Sequence, residues 1–90
     1  MRERVYLKVD TFMDEAGLMI PRTIICADGR RFPIDRVSTF HKASLIRKGM
    51  NGIYYTIVIG RETRTLFFQK ADGQFEHLAG RWFVEREGIG

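Results

Sequence analysis

The stretch Gly52–Phe68, GIYYTIVIGRETRTLFF, constrains the fold of this chain more than any other. Ile53 to Ile59 is built almost wholly from β-branched and aromatic residues, and Thr63 to Phe68 repeats that composition, so both runs favour strands. Gly60-Arg61 lies between them. Glycine followed by another residue suits a two-residue type II′ turn, because glycine takes the positive φ of the first turn position without strain. With Gly60 and Arg61 at the tip, Ile59 faces Glu62 and Val58 faces Thr63. The ladder then descends to Tyr54 opposite Phe67 and Ile53 opposite Phe68.

Side chains alternate across a strand, so this register sorts them onto two faces. Ile53, Tyr55, Ile57, Leu66 and Phe68 form the more apolar set and are expected to face the core. Tyr54, Thr56, Val58, Thr63, Thr65 and Phe67 form the other. Tyr54 and Phe67 are then either a cross-strand pair partly covered by another element or an aromatic platform facing a ligand.

The rest of the chain reads as further strands separated by glycine turns. Arg4 to Asp10 alternates Val5, Leu7 and Val9 against Tyr6, Lys8 and Asp10, a strand with one buried face that Thr11 to Met13 can extend. Asp14 to Gly17 is a turn. Leu18 to Cys26 is a second strand, with Pro21 at an edge or near the start of pairing. Asp28-Gly29 signals a type I′ hairpin, with Ile25 facing Phe32 and Thr23 facing Ile34. A third strand starts at Arg31. Pro33 implies an unpaired edge there, and a bulge around Asp35-Arg36 would return Val37 to the inner face. Lys42 to Lys48 allows one or two helical turns. Gln74 to Leu78 allows a short strand, and Arg81 to Arg86 is the last, with Trp82 and Val84 on one face and Phe83 on the other.

This pattern predicts one all-β domain over residues 1–90, with a loose tail at 87–90. The expected architecture is a small antiparallel barrel or rolled sheet of five to six strands, with at most one short helical turn. No apolar run approaches the ~20 residues that span a membrane. The N-terminus lacks the apolar core of a signal peptide. Cys26 is the single cysteine, so the expected compartment is the reducing cytoplasm.

The segments Asp28–Val37 (DGRRFPIDRV), Gly52–Phe68 and Gly80–Glu85 (GRWFVE) resemble a group of short uncharacterised bacterial proteins. These share an Asp-Gly turn leading to Ile-Asp-Arg-Val, then Gly-Ile-x-Tyr-Thr, Leu-Phe-Phe and Gly-Arg-Trp-Phe-Val. The matching segments cover 33 of the 90 residues. This chain departs in carrying Gly60-Arg61 in place of Asn-Gly and a longer connection from Gln69 to Ala79. The resemblance implies a similar hairpin framework and brings no activity with it.

No catalytic, cofactor or metal site is expected. Cys26, His41 and His77 are widely separated and form no CxxC or HxxxH spacing. Asp35, Ser38 and His41 have triad-like order, but in a strand a step of three residues reverses the side, so Ser38 points away from the other two. Asp14-Glu15 and Glu85/Glu87 lack apolar surroundings that would raise a carboxyl pKa. No phosphate-binding glycine loop appears, and Gly49-x-x-Gly52 lacks the two helices of a KH clamp.

Charge points elsewhere. The chain carries a net charge of +4, yet from Arg22 to Arg64 nine basic residues stand against Asp28, Asp35 and Glu62. The remainder is net acidic. A basic middle fits an anionic partner, RNA or single-stranded DNA, with Arg36, Lys42, Arg47, Lys48, Arg61 and Arg64 for phosphates and Tyr54 and Phe67 for bases. Trp82 is either a further stacking ring or a core residue. The alternative is a protein-interaction or homo-oligomerising module, using the edge at Pro33 or the outer hairpin face.

Overall fold

The computed structural model describes residues 2–42, 51–70 and 80–87. Seven strands occupy them: β1 Arg2–Met13, β2 Met19–Ile25, β3 Arg31–Pro33, β4 Arg36–Lys42, β5 Gly52–Ile59, β6 Glu62–Lys70 and β7 Gly80–Glu87. All neighbours are antiparallel, in the order β3-β2-β1-β7-β6-β5-β4. The all-β expectation holds, with one strand more than the upper count. The possible strand at Gln74–Leu78 lies outside the described residues. So does the helical turn beyond Lys42, although Lys42 itself still belongs to β4. Glu87, placed in the tail by sequence, pairs with Arg2 at the end of β7.

The extra strand arises where the third was expected to run on. β3 and β4 are the two ends of the sheet, yet only Ile34 and Asp35 separate them. The Ile34 amide donates to the Arg22 carbonyl on β2 at 2.8 Å, and the Asp35 amide donates to the Val58 carbonyl on β5 at 2.9 Å. Two successive residues thus bond to opposite ends of the sheet. The sheet has to curl until those ends meet, which makes it a half-barrel. The bulge expected at Asp35-Arg36 lies instead at Ser38, where the β4–β5 register shifts between Val37 and Thr39. Val37 still packs against the core.

The central hairpin pairs as its composition dictates, from Ile59 opposite Glu62 to Ile53 opposite Phe68. Gly60 has φ +61° and among the described residues only glycines have positive φ, so Arg61 is at negative φ and the turn is type II′. The β2–β3 hairpin is shifted by one residue. Ile24, not Ile25, faces Phe32, and Thr23 faces Pro33. The cause is a three-residue loop: the Cys26 amide donates to the Arg30 carbonyl, and the Gly29 amide donates back to the Cys26 carbonyl. Gly29 at φ +88° takes the left-handed position that closes such a loop. Asp28 fixes it by accepting from the Arg30 amide at 3.0 Å, which holds the Asp28 carboxyl below its usual value. The inner residue of this pair is Ile24, opposite core-lining Val9 on β1, at 7% exposure; Pro21 is buried in the same strand.

Tyr55, Ile57 and Leu66 are fully buried on the inner face, joined by Phe68, Trp82 and Ile24. Trp82 is therefore a core residue. Its ring lies 5.5 Å from Tyr55 and 4.9 Å from Phe68, centroid to centroid. The Tyr55 hydroxyl donates to the Met19 carbonyl at 2.7 Å, tying β5 to β2 across the curl. Leu7 and Val9 line the same core, and Cys26 is half-buried against it.

Candidate nucleic-acid interface

The outer face carries a feature that only the full strand order creates. Successive ladders place His41 opposite Tyr54, Tyr54 opposite Phe67, Phe67 opposite Phe83, and Phe83 opposite Tyr6. Five rings thus cross five strands in one row. Centroids are 5.4 Å apart for His41–Tyr54, 6.2 Å for Tyr54–Phe67, 4.9 Å for Phe67–Phe83 and 5.7 Å for Phe83–Tyr6. The Phe67–Phe83 pair is nearly parallel, at 7°, a stacked arrangement that stabilises by about 0.5–1.5 kcal/mol beyond its burial.

The row is not uniformly open. Phe67 is 4% exposed and Phe83 fully buried, with Tyr54 packed against them as a second small core. His41 is exposed, and Tyr6 is 43% exposed. Phe67 accordingly presents no open ring to a base. The Tyr54–Phe67 pair follows the covered-pair reading, and the accessible aromatic edges are the two ends of the row.

The sequence candidates disperse. Arg36 opens β4 on the outer face opposite Val58, and Arg61 sits at the hairpin tip. Both are exposed, and among the described residues neither has an ion-pair partner. Arg64 stands opposite Ile57, on the inner register beyond the core, where Glu62 accepts from its Nε at 3.0 Å and from its Nη2. Its charge is therefore locally matched. Lys42 ends β4 opposite Ile53, six residues and so roughly 20 Å along the strand from Arg36. The Lys42 side chain, Arg47 and Lys48 lie outside what the structure describes.

Between Arg36 and the ring row lies a row of hydroxyls. Thr39, Thr56 and Thr65 face one another across β4, β5 and β6 on the outer face. Thr39 and Thr65 are exposed and Thr56 is half-buried. From Arg36 to His41 this face is thus continuous, about 13 Å long by the four-residue step from Val58 to Tyr54, with Arg61 beyond Arg36's end at the hairpin tip. It carries cation, hydroxyl and ring in that order.

Sequence reasoning missed the cations at the far end of the row. The Arg4 guanidinium lies 4.6 Å from the Phe83 centroid and that of Arg81 lies 4.2 Å from Tyr6. The alternation Arg4-Tyr6-Lys8 was the available signal. It acquires meaning only through the β1–β7 pairing, which joins residues nearly a chain length apart.

Apart from this face, a concavity lies where the β3–β4 connection crosses β2 and the end of β1. This groove of about 580 Å³ is lined by Phe12, Ile20, Arg22, Pro33, Asp35 and Arg36 among others. Arg22 lies over Phe12 at 5.3 Å. Its two arginines are balanced by Asp14 and Asp35, so it offers no net attraction to a polyanion. Those carboxylates are also in structural use. Asp14 accepts from the Ala16 and Leu18 amides, and Asp35 accepts from the Gly60 amide at 2.6 Å.

With Asp35 engaged by that last bond, the His41 ring tilted against Tyr54 on the outer face and Ser38 bulged between them, the three do not form a triad. Among the described residues no three His, Cys, Asp or Glu side chains group closely enough to share a metal ion, and no helix is long and apolar enough to cross a membrane. No family model, curated protein or solved structure matches the chain.

Proposed function

We propose that this chain is a non-catalytic binding module that holds single-stranded nucleic acid along the outer face of β4 and β5. The observation that carries this reading is the order of groups along that face: exposed Arg36, with exposed Arg61 at the adjoining hairpin tip and neither ion-paired among the described residues, then the threonine row, then exposed His41 at the open end of the ring row. Cations and hydroxyls are the side chains that contact phosphates, and exposed rings are where unstacked bases stack. The basic middle of the sequence supplies the sign of the field.

Fluorescence anisotropy with a labelled ten-nucleotide single strand tests it. Binding should weaken steeply with salt, since each neutralised phosphate contributes a slope of about −0.7 in log K against log salt for single strands. Replacing Arg36 and Arg61 together by alanine should reduce that slope by about 1.4. No binding at low salt by the unaltered protein overturns the reading.

A further inference from the structure

We infer that Arg4 and Arg81 form a preordered clamp for a phosphoryl group at the β1–β7 end of the outer face. This extends the nucleic-acid reading, and rests on it for the polymer though not for the site. The geometry is an interleaved one. Arg4, on β1, reaches over the Phe83 ring on β7, and its Nη1 donates to the Gln69 Oε1 on β6 at 3.4 Å. Arg81, on β7, reaches the opposite way over Tyr6 on β1, with its Nη2 3.5 Å from the tyrosine oxygen. The two rings beneath are neighbours, 5.7 Å apart. Each guanidinium therefore lies over one ring of a single neighbouring pair, approached from opposite ends of the two strands.

A guanidinium stacked on a ring keeps its N–H donors in its own plane, free to meet oxygens. Stacking also fixes the side chain in advance, which removes part of the ordering cost of binding. Two such forks match the several anionic oxygens of a phosphate better than a single carboxylate. Exposed Lys8 adds a third cation on the same face.

Pairing state sets these two arginines apart from four others. Arg30, Arg31, Arg64 and Arg86 each bond a carboxylate: Asp28, Asp10, Glu62 and Glu3. Among the described residues no ion pair joins Arg4 or Arg81 to one, although Glu85 stands opposite Arg4 in the ladder. Among the described residues their positive charge is thus unmatched, like that of Arg36 and Arg61, whereas the charge of those four is matched locally.

Two measurements test the clamp. The first follows the arginine Nε–H signals of the ¹⁵N-labelled protein by NMR while inorganic phosphate is added. The second compares oligonucleotide affinity of the unaltered chain with that of a double Arg4→Gln, Arg81→Gln variant, whose retained fold is checked by its amide spectrum. The expected result is a loss of at least about tenfold in affinity with a salt slope smaller by about 1.4. Shifts of the Arg4 and Arg81 signals by millimolar phosphate identify a free or terminal phosphate as sufficient. A slope loss without such shifts identifies the polymer backbone as the source. Phosphate-induced shifts in a protein that binds no oligonucleotide would remove the nucleic-acid reading and keep the clamp. An unaltered slope in the folded variant, with signals indifferent to phosphate, overturns the clamp alone.

Discussion

The inner and outer faces of β4 to β7 are made by the same strands, residue by residue in alternation, yet they are held in different ways. The inner face buries a joined cluster in which Tyr55, Ile57 and Leu66 have no exposure at all. The outer face buries only the middle of one ring row, Phe67 and Phe83, and leaves threonines and arginines in solvent on either side. Volume filling secures the first, where any lost methylene leaves a cavity. Face-to-face stacking one residue deep secures the second, so most of its positions are free to change. Stability should therefore follow the inner face and binding the outer one.

The largest effect should come where two strands approach closely only because a side chain is missing. Gly52 opens β5 against the end of β6, and a Cβ there would stand 2.0 Å from the Phe68 carbonyl oxygen and 3.1 Å from the Gln69 Cα. Backbone atoms cannot yield as a flexible side chain can. Gly52→Ala should push β5 off β6, displacing inner Phe68 and outer Phe67 together, and cost upwards of about 4 kcal/mol. Loss of cooperative thermal unfolding is the expected readout. A melting temperature like that of the unaltered chain would show that the approach is looser than described.

A truncation pair on adjacent residues of β6 tests the comparison itself. Leu66→Ala removes a fully buried inner side chain and should cost about 2–5 kcal/mol. Thr65→Ala removes an exposed outer one and should stay within about 0.5 kcal/mol. Urea unfolding measures both, and similar costs would erase the distinction between faces. Next in size is Asp35, whose carboxylate holds the Gly60 amide and whose own amide bonds β5 where the curl closes. Asp35→Ala leaves that backbone donor with water alone, at a cost of about 1–2 kcal/mol. Asp35→Asn keeps an acceptor and should recover much of the loss. Faster hydrogen exchange at Gly60 in the alanine variant would locate the effect at the hairpin tip.

How much of this was legible in the sequence depends on how local each determinant is. The β5–β6 register was readable because Gly60-Arg61 sets a two-residue turn and every flanking residue agrees with it. The β2–β3 register was not, because Asp28-Gly29 serves a two-residue and a three-residue loop alike. What selects the longer loop is the closing bond from Cys26 to Arg30. The division of β3 from β4 left no local mark. Ile34 and Asp35 look like strand interior until the curled sheet brings β2 and β5 to their two amides. Arg36 and Arg61 were visible as cations in a basic stretch. Arg4 and Arg81 were not singled out, since their shared rings meet only through pairing between the first and last strands.

The smallest effect concerns the one polar atom that ties the inner face across the curl. Tyr55→Phe deletes the donor to the Met19 carbonyl and should cost about 1 kcal/mol near neutral pH. It should also change the shape of the stability profile. Burial pushes the Tyr55 phenol above its usual 10.0, so the folded state holds this proton more tightly than the unfolded chain does. That contribution is complete below the unfolded pKa. It falls away as pH climbs through 10 towards the folded value, because the unfolded chain sheds its proton first. Urea midpoints between pH 8 and 11 should decline for the unaltered chain and decline less for Tyr55→Phe, so the two curves converge on the alkaline side. Parallel curves would mean that the hydroxyl ionises as freely inside as outside, and that the inner face is wetter than its burial implies.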